Sequence, residues 1–175
     1  VLSDLPTYRM ARLGVVKSNQ VIMDFNKLTI WDSLLLAATE GKFERPYRIF
    51  SENSVYRRHE DEVRDWLDFF PFADPTGFAQ SAGEKKLLDI VRCLLLKPKF
   101  LLLDEPGAGL SDELTSKVMK AIKLLADSGT TVVVVEHDLS LIWSICERVH
   151  FMAEGQVLLQ GAPQEIRKHS TVIEK

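Results

Sequence analysis

The sequence predicts an α/β fold, a parallel sheet flanked by helices with a helical subdomain inserted between sheet elements. Two runs and one gap carry this expectation. Phe100 to Leu103 is a short apolar run bounded by charge and Pro106, the signature of a strand buried on both faces. Thr130 to Val135 is a β-branched run, a second buried strand, and each run is followed by a helical pattern. Between Thr29 and Ala79 no strand signal occurs. The chain therefore divides into residues 1–28, a first part of the core; 29–80, the helical subdomain; and 81–175, the rest of the α/β core.

Taken in order, Pro6 to Leu13 reads as a short helix ending at Gly14, and Val15 to Gln20 as a brief strand. Thr29 to Ala38 reads as a helix with Thr29 as N-cap and Asp32 three residues on. Gly41 to Ser54 is polar and irregular. Val55 to Phe70 is charged and amphipathic, with Val55, Val63, Trp66, Leu67 and Phe70 on its buried side, and Pro71 to Gln80 is a linker. Lys85 to Leu96 is a helix with Ser81 as candidate N-cap. Ser111 to Ser128 carries one stripe of Leu114, Val118, Ala121, Ile122 and Leu125, and Gly129 closes it. Leu139 to Cys146 is helical, Val149 to Met152 and Gln156 to Leu159 form a hairpin around Glu154-Gly155, and Pro163 to Lys168 opens a last short helix.

Composition narrows the function classes. The 175 residues are 46% hydrophobic and 27% charged, ordinary for a globular domain with a real core. A net charge of -3 and a pI near 5.8 lack the basic footprint of a nucleic-acid partner. No apolar run approaches a membrane span, since Leu87 to Leu96 is broken by Asp89 and Arg92. Val1-Leu2-Ser3-Asp4 is not a signal peptide, so the expectation is a cytoplasmic chain, and the missing initiator Met hints at a start that is not native. Cys93 and Cys146 read as buried thiols in a reducing compartment. Cys146 and His150 are four apart, but two ligands do not make a metal site.

Chemistry concentrates at strand ends. Ligands of open α/β sheets bind beyond the carboxyl ends of the strands, where Phe100 to Leu103 delivers Asp104 and Glu105. One carboxylate there can hold magnesium, a hard ion that retains its waters, and its neighbour can orient an attacking water. The plainer alternative is a solvated acidic turn. Ser81-Ala82-Gly83-Glu84 opens a helix whose small residues and free N–H groups suit a phosphate, or it is simply a capping box. Val132 to Val135 runs into Glu136-His137-Asp138, which sets His137 to contact a terminal phosphate or leaves it a surface turn histidine. Gln20, at the end of the first strand, means little alone.

In this order the pieces resemble the ATP-binding subunits of ABC transporters, over nearly the whole chain. Ser81-Ala82-Gly83-Glu84 resembles the signature motif, Leu101 to Glu105 the Walker B strand, Ala108-Gly109-Leu110-Ser111 the D-loop, His137 the switch histidine and Gln20 the Q-loop glutamine. Ala11-Arg12-Leu13-Gly14, Leu28-Thr29, Ala108-Gly109-Leu110 and Val135-Glu136-His137-Asp138 are most similar to the subfamily serving branched-chain amino acid importers. Departures are Gln80 where the signature usually begins with Leu, Ala82 for its first Gly, and Ser111-Asp112 where the subfamily often has Asn-Pro. The resemblance implies a head-to-tail dimer of ATPase subunits that sandwiches ATP and Mg, on the inner face of a membrane beneath permease subunits. It implies Asp104 and Gln20 at the metal, Glu105 polarising water, His137 at the terminal phosphate, and Ser81 and Gly83 gripping the partner's nucleotide. It also implies that the region after Gln20, Val21 to Lys27 included, docks the permease.

One expected motif is missing. A P-loop reads G-x-x-x-x-G-K-[ST], and the only Gly-Lys here, Gly41-Lys42, is followed by Phe43 and has Leu36 in place of the first Gly. In the family the P-loop precedes the Q-loop by several dozen residues, so the sequence reads as lacking that lobe. Losing one oxyanion-type donor costs about 2.7–4 kcal/mol of transition-state stabilisation, and a whole cradle more. The expectation is that this chain alone neither binds nor hydrolyses ATP, which micromolar binding in calorimetry would overturn. It is also that the remaining sheet exposes an apolar edge and face. Two alternatives stand beside the transporter ATPase. A non-transport ABC ATPase should show coiled-coil heptads, CxxC pairs or a basic face, and none occurs. A non-catalytic module would donate only its signature face to a complete partner.

Overall fold

The structure is a computed structural model that describes residues 6–18, 28–39, 53–169 and 172. It forms two compact units, Val1–Val135 and Glu136–Lys175.

The first unit begins with α1 (Thr7–Arg12), which ends at Gly14 with φ +82°, a backbone that favours glycine. The Gly14 carbonyl accepts from the N–H groups of Lys99 and Phe100, which registers β1 (Val15–Lys17) against β2 (Phe100–Asp104). β2 is central. It pairs in parallel with β1 on one side and with β3 (Thr131–Val135) on the other, Asp104 opposite Val135.

Alternation divides the sheet into two unequal faces. Leu101 and Leu103 are fully buried, whereas Phe100, Leu102 and Asp104 are half-exposed. On the same side as these, Val133 is 39% and Val135 52% exposed. The expectation of strands buried on both faces is thus corrected. Among the described strands β2 buries one face at Leu101 and Leu103, the other face stays part-open, and β1 and β3 are the two edges. The separate expectation of an exposed apolar edge and face describes what is seen.

Helices account for the rest of the core. α2 (Ile30–Ala38) is capped as anticipated: the Thr29 hydroxyl accepts from Asp32 N–H at 3.0 Å. α3 (Asn53–Phe69) buries Val63, and Phe70 just beyond it is fully buried and stacked on half-buried Trp66 at 5.8 Å. Val55's side chain and the stretch from residue 40 to 52 lie outside the described residues. The 71–80 segment does more than link. Gly77 and Pro75 carbonyls accept the N–H groups of Ile30 and Trp31, so it clasps the start of α2. α4 (Ala82–Leu95) packs against α2, and Lys97 just past its end pairs with Glu62 of α3 at 2.7 Å. α5 (Asp112–Asp127) buries Val118, Met119, Ala121 and Ile122 and closes at Gly129.

The second unit contains α6 (Leu139–Ile145), the antiparallel hairpin of β4 (Val149–Ala153) and β5 (Gln156–Gly161), and α7 (Pro163–Ile166), which packs on the hairpin and on α6. Glu154 and Gly155 both take positive φ, 52° and 76°, the pattern of a type I′ turn. Met152, Val157 and Leu158 face solvent on this hairpin.

Candidate functional site

Asp104 is the last residue of β2, and Glu105 follows it in the left-handed region at φ +47°. That conformation costs a non-glycine residue roughly 1–2 kcal/mol and turns the chain sharply off the sheet. Hydrogen bonds over-determine it. The Asp104 N–H donates to the Ser18 hydroxyl at 3.1 Å, and Ser18 is 1% exposed. The Asp104 carbonyl accepts from the Lys86 ammonium of α4 at 3.0 Å. The Glu105 N–H donates to the Val135 carbonyl at 2.8 Å, one ladder bond beyond the strand end. The peptide joining the two acids is therefore held on one side by α4 and on the other by β3, while Ser18 at the end of β1 fixes the preceding N–H.

Both acids are half-buried, and the Asp104 carboxylate has no hydrogen-bond partner among the described residues. Lys86 is aimed at the carbonyl of Asp104. Pro106 behind the pair is buried, and the Glu105 carbonyl accepts from Ala108 N–H at 3.1 Å to begin the loop that ends at Ser111, the N-cap of α5.

At the start of α4 the capping box is complete. The Ser81 hydroxyl accepts from Glu84 N–H at 3.1 Å, and the Glu84 carboxylate accepts from the N–H groups of Gln80 at 3.0 Å and Ser81 at 3.4 Å. The plain structural role considered for this segment is thus real. It does not exhaust the chemistry, because an accepting Ser81 keeps its own O–H to donate, and Ser81 is exposed. The N–H groups of Ala82 and Gly83 belong to the first turn, which an α-helix leaves without intrahelical partners. Gly83 is also a point of close approach. A Cβ there would stand 3.2 Å from the Gly109 carbonyl oxygen and 3.9 Å from Leu110 Cδ2.

His137 is the second residue of the second unit, two residues past β3. Its side chain is 77% exposed, with Nδ1 3.8 Å from a carboxylate oxygen of Glu136. Next to it, Asp138 caps α6, and its carboxyl is held below the usual range by the Ser140 hydroxyl and then the Ser140 N–H. Gln20, and Val21 to Lys27 after it, lie outside the described residues. Within the first unit, then, Asp104 and Glu105 sit together and Gly83 touches the loop that follows them. Among the described residues no cluster of three or more His, Cys, Asp or Glu could hold a metal. Ser18 and Lys86 were not anticipated as site residues. Lys86 had a readable signal, a charged residue on the apolar stripe that continues through Ile90 and Cys93.

Comparison with known proteins bears on this arrangement. The ABC transporter family matches residues 5–108, more than half of the chain. The high-affinity branched-chain amino acid transport ATP-binding protein LivG of Salmonella typhimurium is 31% identical over 98% of this chain and 71% of its own length. The lipopolysaccharide export system ATP-binding protein LptB of Escherichia coli is 30% identical over 94% of this chain and 66% of its own. Among solved structures, an ATP-binding subunit of an ABC transporter superposes with a TM-score of 0.76 at 21% identity, over 98% of this chain and 67% of that one. With the parallel sheet ending in Asp104-Glu105 and the helix opening at Ser81, these matches establish that the chain belongs to the ABC transporter family, as an ATPase-type subunit.

Proposed function

We propose that this sequence is the part of the energy-coupling ATPase of an ABC importer, for branched-chain or other amino acids, that runs from the Q-loop through the helical subdomain and signature to the switch histidine. The observation that carries this reading is the 31% identity to LivG over 98% of the chain. LptB, at 30% identity, shares the ATP-binding part of this reading and not its cargo. ATP is the substrate. The phosphate cradle comes from outside these 175 residues, since no G-x-x-x-x-G-K-[ST] occurs within them.

In this reading Glu105 polarises the attacking water, its backbone fixed so that its carboxylate leaves the sheet at one angle. His137 contacts the terminal phosphate. Ser81 and Gly83 read the nucleotide held by a second ATPase subunit in a head-to-tail dimer, through the Ser81 O–H and the first-turn N–H groups. Gln20 links the site to the helical subdomain of residues 29–80, and Val21 to Lys27 contribute to a permease-docking surface on the inner face of the membrane. Mg fits the donor set. Asp104 offers a hard carboxylate without a competing hydrogen bond, Gln20 a second oxygen, and a magnesium ion keeps its remaining positions for water and phosphate. When bound, the ion neutralises charge on the phosphates.

The test is Glu105→Gln in a protein that joins this sequence to a P-loop. Phosphate release should fall by about 10²–10⁴-fold, the range for removing a general base, with ATP still bound. Retained turnover would assign the base elsewhere and remove the reading.

A further inference from the structure

Two contacts join the first turns of α4 to the segment that carries the acids. Lys86 donates to the Asp104 carbonyl at 3.0 Å, and Gly83, three residues earlier on the same helical face, lies against the Gly109 carbonyl. The first contact is at the start of the 104–110 segment and the second near its end. Lys86 is 8% exposed, and burying an ammonium is costly unless a strong acceptor meets it. The acceptor it meets is a backbone oxygen, so the bond restrains a peptide and leaves the Asp104 carboxylate available. The peptide it restrains leads into Glu105, which sits in a left-handed conformation that only its surroundings maintain.

We propose that Lys86 is a positioning residue that couples the signature turn of α4 to the hydrolytic acids of the same subunit. A displacement of Ser81 and Gly83 on meeting the partner subunit's nucleotide is carried through α4, and Lys86 transmits it to the Asp104–Glu105 peptide. Each subunit's acid pair thereby takes its final geometry only when its signature turn is engaged. This rests on the proposed roles of Asp104, Glu105 and Ser81 and adds Lys86, which those roles do not require.

The experiment compares Lys86→Met and Lys86→Arg in the full-length ATPase. Methionine keeps the length and burial of the side chain and removes the donor; arginine restores a donor. We expect Lys86→Met to lower kcat about tenfold or more, as small misplacements of catalytic groups do, with KM for ATP changed less than about twofold. Amide exchange at Glu105 should accelerate about tenfold, as for loss of one charge-assisted hydrogen bond, with β2 and α5 unchanged. Lys86→Arg should recover most of kcat. Full kcat in a folded Lys86→Met variant overturns the proposal, and so does exchange that rises throughout the domain. The underlying reading fails separately: if Glu105→Gln in the same protein keeps its turnover, the acid assignment is wrong, whatever Lys86 does to exchange at Glu105.

Discussion

Replacing Glu105 by glycine should make the fold more stable than replacing it by alanine. Both substitutions remove the carboxylate and its side-chain interactions, so their difference isolates the backbone. The backbone bonds at this residue, Glu105 N–H to Val135 and Ala108 N–H to the Glu105 carbonyl, survive in both. What differs is φ +47°, where alanine retains the left-handed cost of roughly 1–2 kcal/mol and glycine does not. Glycine gives back about 0.4–1 kcal/mol through the greater freedom of its unfolded chain. The balance favours Glu105→Gly over Glu105→Ala by about 0.8 kcal/mol, or about 2–3 °C in Tm for a chain of this size. In a helix the sign is opposite, with glycine about 1 kcal/mol worse. Urea denaturation followed by circular dichroism measures the difference. An alanine variant equal to or more stable than the glycine variant would refute the left-handed turn, and with it the account of how the acids are aimed.

Two further predictions concern groups around the site. Ser18→Ala removes the buried hydroxyl that receives the Asp104 N–H and should cost about 1–3 kcal/mol in the same denaturation assay; a change within experimental error would mean that the 3.1 Å bond contributes nothing. The Cys93 thiol is pushed up from 9.0 to about 12 by burial and then by the charge of Asp89. Below pH 9 both states hold the thiol proton and stability is flat. Between 9 and about 12 the unfolded thiol ionises and the folded one does not, so stability falls as pH rises, by at most about 1.4 kcal/mol per unit. The wild-type minus Cys93→Ala difference should show that slope, and native Cys93 should resist alkylation at pH 8 until the chain unfolds.

The parts of the site legible in the sequence are those built by near neighbours. The apolar run ending in Asp104-Glu105 announces a strand with acids at its carboxyl end. Ser81 with Glu84 announces a cap, and Glu154-Gly155 announces its turn, because each is decided within a few residues. Ser18 was invisible: it meets Asp104 across 86 positions of sequence, and a serine after a short strand is a common residue. Lys86 was half visible, as a polar intruder on the stripe of α4, but nothing local says that it reaches a carbonyl on β2. The burial of the strands was misjudged for a related reason. An apolar run records that a strand can be covered on both faces, and only the assembled elements decide that Val133 and Val135 stay exposed.

The positive φ at Glu105 was not predictable from glutamate's own preferences, and this locates where the site is decided. A left-handed glutamate persists because β1, α4 and β3 each hold one group of the two residues, Ser18 the Asp104 N–H, Lys86 the Asp104 carbonyl and Val135 the Glu105 N–H. All three lie in one compact unit, and none belongs to a phosphate cradle. The left-handed turn that carries the acids is therefore a property of this portion of the fold, formed before any nucleotide is gripped. A P-loop supplied from outside these residues would bring the phosphate to acids whose backbone turn is already formed, with the final adjustment left to the signature turn. That order makes two kinds of damage separable. Changes at Ser18 or Glu105 should alter stability even without nucleotide, whereas loss of the cradle should abolish binding and leave the φ at Glu105 intact.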